Sequence, residues 1–121
     1  INELKTTNPD LDFKHITLIG HSNGGDMTAL FPQKYPNIVE KIITLDNRRM
    51  ALPKSKKVKV YSLRSNNQLT NEGVLPTEKE VKKYKMKIVK LAKTTHYEMA
   101  DNANDEQRKE IQKYILTFIN D

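Results

Sequence analysis

The chain has 121 residues, enough for one domain, and its 21 basic and 15 acidic side chains give a formal charge of +6. It contains no cysteine, which excludes disulfide bonds, thiolate metal sites and a cysteine nucleophile. With 36% hydrophobic residues it can form a small core, but no apolar run reaches the roughly 20 residues that a membrane-spanning helix needs.

The first half of the chain predicts two strands with a helix between them. After the end of a helix at residues 1–5 and a turn at residues 8–10, the short apolar run 16–19 is typical of a buried parallel strand. Apolar residues at helical spacing follow it, namely Met27, Leu30 and Phe31. Pro32 should end or kink this helix early, because proline has no N–H and crowds the preceding turn. Residues 41–45 then predict the second strand.

The second half predicts two more strands and two helices. Residues 58–63 predict the third strand, and residues 87–91 predict the fourth, in which Ile88, Val89 and Leu91 are apolar. Between them, Thr77 and Glu80 have the spacing of a capping box that opens a short helix toward Tyr84. Asn104 or Asp105 can cap a last helix, and its apolar stripe comprises Ile111, Tyr114, Ile115, Phe118 and Ile119. Strands that alternate with helices predict an α/β fold of three layers, a parallel sheet between helices.

One motif carries chemistry. The residues Gly20-His21-Ser22-Asn23-Gly24 fit the pattern G-x-S-x-G, directly between a predicted strand and a predicted helix. In that context the turn is strained, so its neighbouring positions must be small, as Gly20, Gly24 and Gly25 are. The turn exposes the serine hydroxyl at a helix N-terminus, where N–H groups favour developing negative charge. The motif therefore predicts Ser22 as a nucleophile.

A serine nucleophile needs a base, and the chain has three histidines. His15 precedes the motif strand and is expected at the surface. His21 lies inside the turn, where its side chain should point away from that of Ser22. His96 follows the fourth predicted strand and precedes the last helix, which matches the chain order of nucleophile, acid and histidine. We expect His96 to act as the general base and then the general acid.

In the order of these elements the sequence resembles the α/β-hydrolase superfamily, over nearly its whole length. Tyr35-Pro36 also falls where many members end the helix after the nucleophile. The resemblance implies Ser22 as nucleophile, His96 as base and the main-chain N–H of Asn23 as an oxyanion donor. It also implies hydrolysis of an ester-like acyl bond in a small-molecule substrate, without a metal or an organic cofactor.

The resemblance covers the C-terminal part of the family's single domain. Family members have about eight strands and the nucleophile follows the fifth, so residues 1–121 would supply about four of them. The earlier strands and the loop with the second oxyanion donor would lie outside this chain. The strand before Ser22 would then be an open apolar edge, through which the chain could self-associate.

The acid of the triad has several candidates. The family usually places it after the strand that corresponds to residues 58–63, where this sequence has Asn66 and Asn67, with Glu72 farther along. Some members place it one strand earlier, at the position of Asp46. We favour Asp46, then Glu72. An asparagine at position 66 or 67 could orient the histidine but not stabilise its charge equally.

Other functions have weaker support. A non-catalytic binding or interaction protein of the same fold is the main alternative, because asparagines stand at the usual acid position. Two lysine-rich stretches, residues 54–59 and 79–93, do not interleave aromatic residues as a base-stacking surface would, and so favour solvated faces over nucleic-acid binding. The acidic residues Asp101, Asp105 and Glu106 have no metal-ligand spacing. The absence of cysteine fits a cytoplasmic location, although the first residue is Ile and an N-terminal signal would not be visible.

Overall fold

The structure is a computed structural model that describes residues 2–121; Ile1, part of the first predicted helix, lies outside the described residues. Four strands form one sheet in chain order: β1 (Thr17–His21), β2 (Lys41–Leu45), β3 (Lys59–Arg64) and β4 (Lys87–Lys90). Every neighbouring pair is parallel. The predicted α/β class is confirmed at this level, as an all-parallel sheet with flanking helices.

The helices are α1 (Asn2–Thr7), α2 (Asn23–Lys34), α3 (Glu78–Tyr84) and α4 (Asp105–Asn120), with a short 3₁₀ turn at Tyr97–Met99. The predicted capping box of Thr77 and Glu80 opens α3, and Asn104 forms a second capping box with Gln107 at the start of α4. Because these caps join residues three apart, local sequence is sufficient to specify them.

Helix α2 differs from its prediction, because it does not end at Pro32 but runs on to Lys34. A proline removes one N–H and leaves the other helical bonds available, so the main-chain N–H of Tyr35 still donates to the Phe31 carbonyl at 2.9 Å. Pro32 itself is buried.

Two apolar clusters cover the two faces of the sheet, since neighbouring strand residues such as Ile42 and Ile43 point to opposite faces. The Ile43 cluster includes Ile111 and Phe118 of α4, and the Ile42 cluster includes Ala29 of α2. Tyr114 and Ile115 pack against the first cluster as predicted, but Ile119 is 42% exposed and lies outside the stripe.

Strand β1 is not buried as its sequence predicts. Its residues are half-buried or exposed, and Ile19 is 47% exposed, because β1 lies at an edge of the sheet and pairs on one side only. Strand β2, between β1 and β3, is buried throughout. Among residues 2–121, no helix is both long and apolar enough to cross a membrane.

Candidate active site

The candidate residues follow strands that end at one edge of the sheet. The register places His21 opposite Leu45, and Leu45 opposite Leu63, so β1, β2 and β3 end side by side. Ser22 follows β1 and Asp46 follows β2 directly. This carboxyl edge is where open parallel sheets place their ligands.

Ser22 has an unusual backbone conformation, with φ 55° and ψ −117°. Its N–H donates to the Leu45 carbonyl at 2.9 Å, and its own carbonyl accepts the first helical bond from the Asp26 N–H at 3.0 Å. A serine before a helix commonly caps it with its hydroxyl from an extended conformation, but Ser22 makes no such bond. The strained conformation is therefore not explained by helix capping. Within residues 2–121 the Ser22 hydroxyl forms no hydrogen bond, either to His96 or to any other group.

Close packing around the turn explains two of its three glycines. A Cβ added to Gly20 would lie 2.3 Å from the Gly24 carbonyl oxygen and 2.4 Å from the Thr28 hydroxyl. A Cβ at Gly25 would lie 3.1 Å from the Gly20 carbonyl oxygen. A Cβ at Gly24 would meet no described atom within 4 Å apart from its chain neighbours and the backbone of its own helix, so the prediction that all three positions must be small is wrong for Gly24.

His96 and Asp46 are joined by a short hydrogen bond. The distance between His96 Nδ1 and Asp46 Oδ2 is 2.8 Å. The Asp46 side chain is fully buried and that of His96 is 16% exposed. The other oxygen of Asp46, Oδ1, accepts the main-chain N–H of Ser65 at 2.7 Å. A carboxylate on Nδ1 favours the tautomer with its proton there, which leaves Nε2 as the basic nitrogen.

The other candidates for the acid do not reach the ring of His96. The Glu72 side chain is exposed and forms no hydrogen bond or ion pair within residues 2–121. Asn67 Oδ1 accepts the main-chain N–H of His96 at 2.8 Å, and Asn66 Nδ2 donates to the Ala92 carbonyl at 3.1 Å. The two asparagines therefore fix the loop that carries His96, while Asp46 contacts its imidazole.

Arg64, the last residue of β3, was not singled out in the sequence. It is buried, and its guanidinium donates to the side-chain and main-chain oxygens of Asn47, each at 2.7 Å. Its Nε lies 3.9 Å from Asp46 Oδ1. Burial lowers the pKa of Arg64, and the neighbouring Asp46 opposes that change. The sequence feature that could have indicated Arg64 is a charged residue at the end of a largely apolar strand.

Asp26 in α2 was also missed. It is buried, and its Oδ1 accepts main-chain N–H groups from three successive residues after Asp46 at 2.7–3.0 Å, namely Arg48, Arg49 and Met50. This ties the helix that follows Ser22 to the loop that follows Asp46, because one carboxylate oxygen satisfies three otherwise unpaired donors.

Glu98 fixes the segment around His96. Its Oε1 accepts the N–H and the hydroxyl of Thr95 at 3.1 and 2.7 Å, and its Oε2 accepts Nε2 of Gln107 in α4 at 2.8 Å. Donation from Gln107, and then from Thr95, holds the pKa of Glu98 below its ordinary value. The histidine loop is thereby attached to the last helix.

His21 and His96 are in contact, which the sequence did not indicate. Their rings stack with centroids 5.0 Å apart and planes inclined by 26°. His21 Nε2 is buried and has no hydrogen-bond partner within the described part of the chain. His15, by contrast, is exposed as predicted and pairs with Glu40. That carboxylate raises the pKa of His15.

The start of α2 offers donors for an anion. The first helical bond is donated by Asp26, so the N–H groups of Asn23 and Gly24 have no helical acceptor. Within residues 2–121, no group of three or more His, Asp or Glu side chains could hold a metal ion, and Asp101, Asp105 and Glu106 are exposed.

Comparison with models of protein families, with curated proteins and with solved structures finds no match. The chemistry of the candidate site is therefore inferred from its own geometry. A free hydroxyl, an imidazole held by a buried carboxylate, and unpaired N–H groups at a helix start are the groups that nucleophilic acyl transfer requires.

Proposed function

We propose that this chain carries the catalytic residues of a serine hydrolase of the α/β-hydrolase superfamily, which cleaves ester-like acyl bonds in a small molecule. The observation that carries the proposal is the 2.8 Å bond between His96 Nδ1 and the buried carboxylate of Asp46. The positive φ of Ser22 and the order of the elements along the chain support it.

In the proposed reaction, Ser22 Oγ attacks the acyl carbon while His96 Nε2 takes the hydroxyl proton. Asp46 holds Nδ1 and stabilises the imidazolium that forms, and the Asn23 N–H donates to the oxyanion. The tetrahedral intermediate releases the alcohol, which takes the proton from His96. Water then attacks the acyl-serine by the same steps and restores Ser22.

The proposal includes the domain organisation that the resemblance implies, in which residues 1–121 are the C-terminal part of one domain. The half-exposed edge strand β1, in which Ile19 is 47% exposed, supports continuation of the sheet beyond β1. The second oxyanion donor would come from that continuation. The asparagines that motivated a non-catalytic reading bind main-chain groups, so they no longer favour it.

Hydrolysis of a p-nitrophenyl ester by the intact protein tests this function. We expect Ser22→Ala to lower turnover by several orders of magnitude without loss of the fold. The matched control is Ser55→Ala, in the loop before β3, which should keep wild-type turnover. Equal turnover in wild type and Ser22→Ala would refute the hydrolase and leave a binding protein of the same fold.

A further inference from the structure

A cavity of about 480 Å³ opens at the amino-terminal ends of β3 and β4, opposite the end of the sheet that carries Ser22 and Asp46. Five lysines from the two lysine-rich stretches border it: Lys56 and Lys59 from the first, and Lys83, Lys85 and Lys87 from the second. Tyr61 and Tyr84 also line it. Since β3 spans roughly 20 Å, the cavity is far from Asp46 and independent of the chemistry proposed for Ser22.

The cavity already holds one anionic group of the chain itself. The carboxylate Oδ2 of Asp121 accepts the Tyr61 hydroxyl at 2.6 Å and the Lys87 ammonium at 2.7 Å. Lys59 Nζ donates to the main-chain oxygen of Asp121 at 3.1 Å. The bond from Lys87, and then that from Tyr61, lower the pKa of Asp121 to about 2. These donors therefore form a receptor for an oxyanion.

The positive charge around this receptor exceeds what Asp121 can balance. Within the described chain, Asp121 provides the one carboxylate in a salt bridge with a lining lysine. A sixth cation, Lys41, lies 5.5 Å from the centroid of the Tyr61 ring and donates to three main-chain oxygens at the end of α4 at 2.6–3.0 Å, that of Asp121 among them. Burial lowers the pKa of Lys41, and the charge of Lys59 lowers it further. A ligand with more than one negative charge would relieve this repulsion.

We propose that the cavity binds a small organic phosphate with at least two negative charges, and that its phosphate replaces the Asp121 carboxylate on Tyr61 and Lys87. Lysine ammonium groups and a phenolic hydroxyl are suitable donors to phosphate oxygens. Val58 and the Tyr84 ring supply an apolar wall for the organic part. The volume lies within the usual range for small-molecule sites.

Calorimetric titration of the intact protein with pyrophosphate and with adenosine diphosphate tests the site. Lys87→Gln should weaken binding about tenfold or more, since a charge-assisted bond is lost. Tyr61→Phe should weaken it less. Asp121→Asn should tighten binding, because the internal competitor loses its charge.

Two matched controls separate a site from general charge attraction. Lys109→Gln and Glu110→Gln, on the exposed surface of α4, make the same charge changes as Lys87→Gln and Asp121→Asn. Neither control should change the affinity by more than about twofold, because exposed charges at a distance are screened by salt. Equal effects of each variant and its control would overturn the proposal. So would tighter binding of a single-stranded oligonucleotide or of anionic lipid vesicles than of adenosine diphosphate.

Discussion

Asp46 and His96 lie 50 residues apart in the chain, yet Oδ2 of the first and Nδ1 of the second are 2.8 Å apart. Asp46 reaches this position directly after β2, with a positive φ of 57°. Aspartate and asparagine tolerate that conformation better than most residues. Asparagine at this position can therefore remove the charge while keeping the backbone.

Asp46→Asn should reduce turnover of the intact protein by about 10⁴-fold, since the imidazolium loses its counter-charge and the tautomer is no longer fixed. Ester hydrolysis measured across pH, with a thermal melt to confirm folding, checks this. Glu72→Gln is the matched control and should have little effect, because Glu72 is exposed. The reverse pattern would move the acid to Glu72, and no effect of either change would leave a neutral asparagine as the helper.

Gly20→Ala should destabilise the fold by about 1–3 kcal/mol, because its Cβ would overlap the Gly24 carbonyl. Gly24→Ala should leave stability unchanged or raise it by up to about 1 kcal/mol, since its position is open and helical. Urea denaturation of both variants measures the difference. Equal destabilisation by the two substitutions would contradict the close packing of β1 on α2.

Glu98→Gln should lower the melting temperature at neutral pH, because the ionised carboxylate holds Thr95 and Gln107. The pKa of Glu98 in the folded state lies below its ordinary value of 4.5. Its contribution to stability is therefore complete above that value and is lost as the pH falls through the folded-state pKa. The difference in melting temperature between Glu98→Gln and wild type should therefore shrink as the pH is lowered. Glu110→Gln should show no such dependence on pH.

The isolated 121-residue chain should self-associate through β1, whose free edge carries the exposed Ile19. Sedimentation velocity should detect dimers or larger species that dissociate in Ile19→Lys, because a lysine on an edge strand opposes pairing. A clean monomer for the wild-type chain would show that this edge does not pair.

Much of the fold was predictable because its signals are local. Each strand overlaps a short segment whose apolar residues predict it, and the capping boxes that open α3 and α4 connect residues three apart. The exposure of β1 does not follow from its apolar run, which predicts a buried strand; the resemblance implied an open edge there, and β1 does lie at an edge of the sheet. The end of α2 beyond Pro32 depends on packing that a local rule does not include.

The candidate site also contains residues that the sequence predicts and contacts that it does not. Ser22 and His96 follow from a motif and from chain order, and Asp46 was the favoured acid among several. Three features of the site were not predicted. They are the stacking of His21 on His96, the three main-chain hydrogen bonds that Asp26 accepts, and the buried position of Arg64. Each is a contact between segments that lie far apart in the chain, and no local spacing encodes such contacts.

The central claim is that Ser22 is an activated nucleophile, and covalent labelling tests it most directly. The intact protein is treated with a fluorophosphonate, digested, and the modified residue located by mass spectrometry. We predict one adduct, on Ser22, which is absent in Ser22→Ala and strongly reduced in Asp46→Asn. An adduct on another residue, or none at all, would contradict the claim.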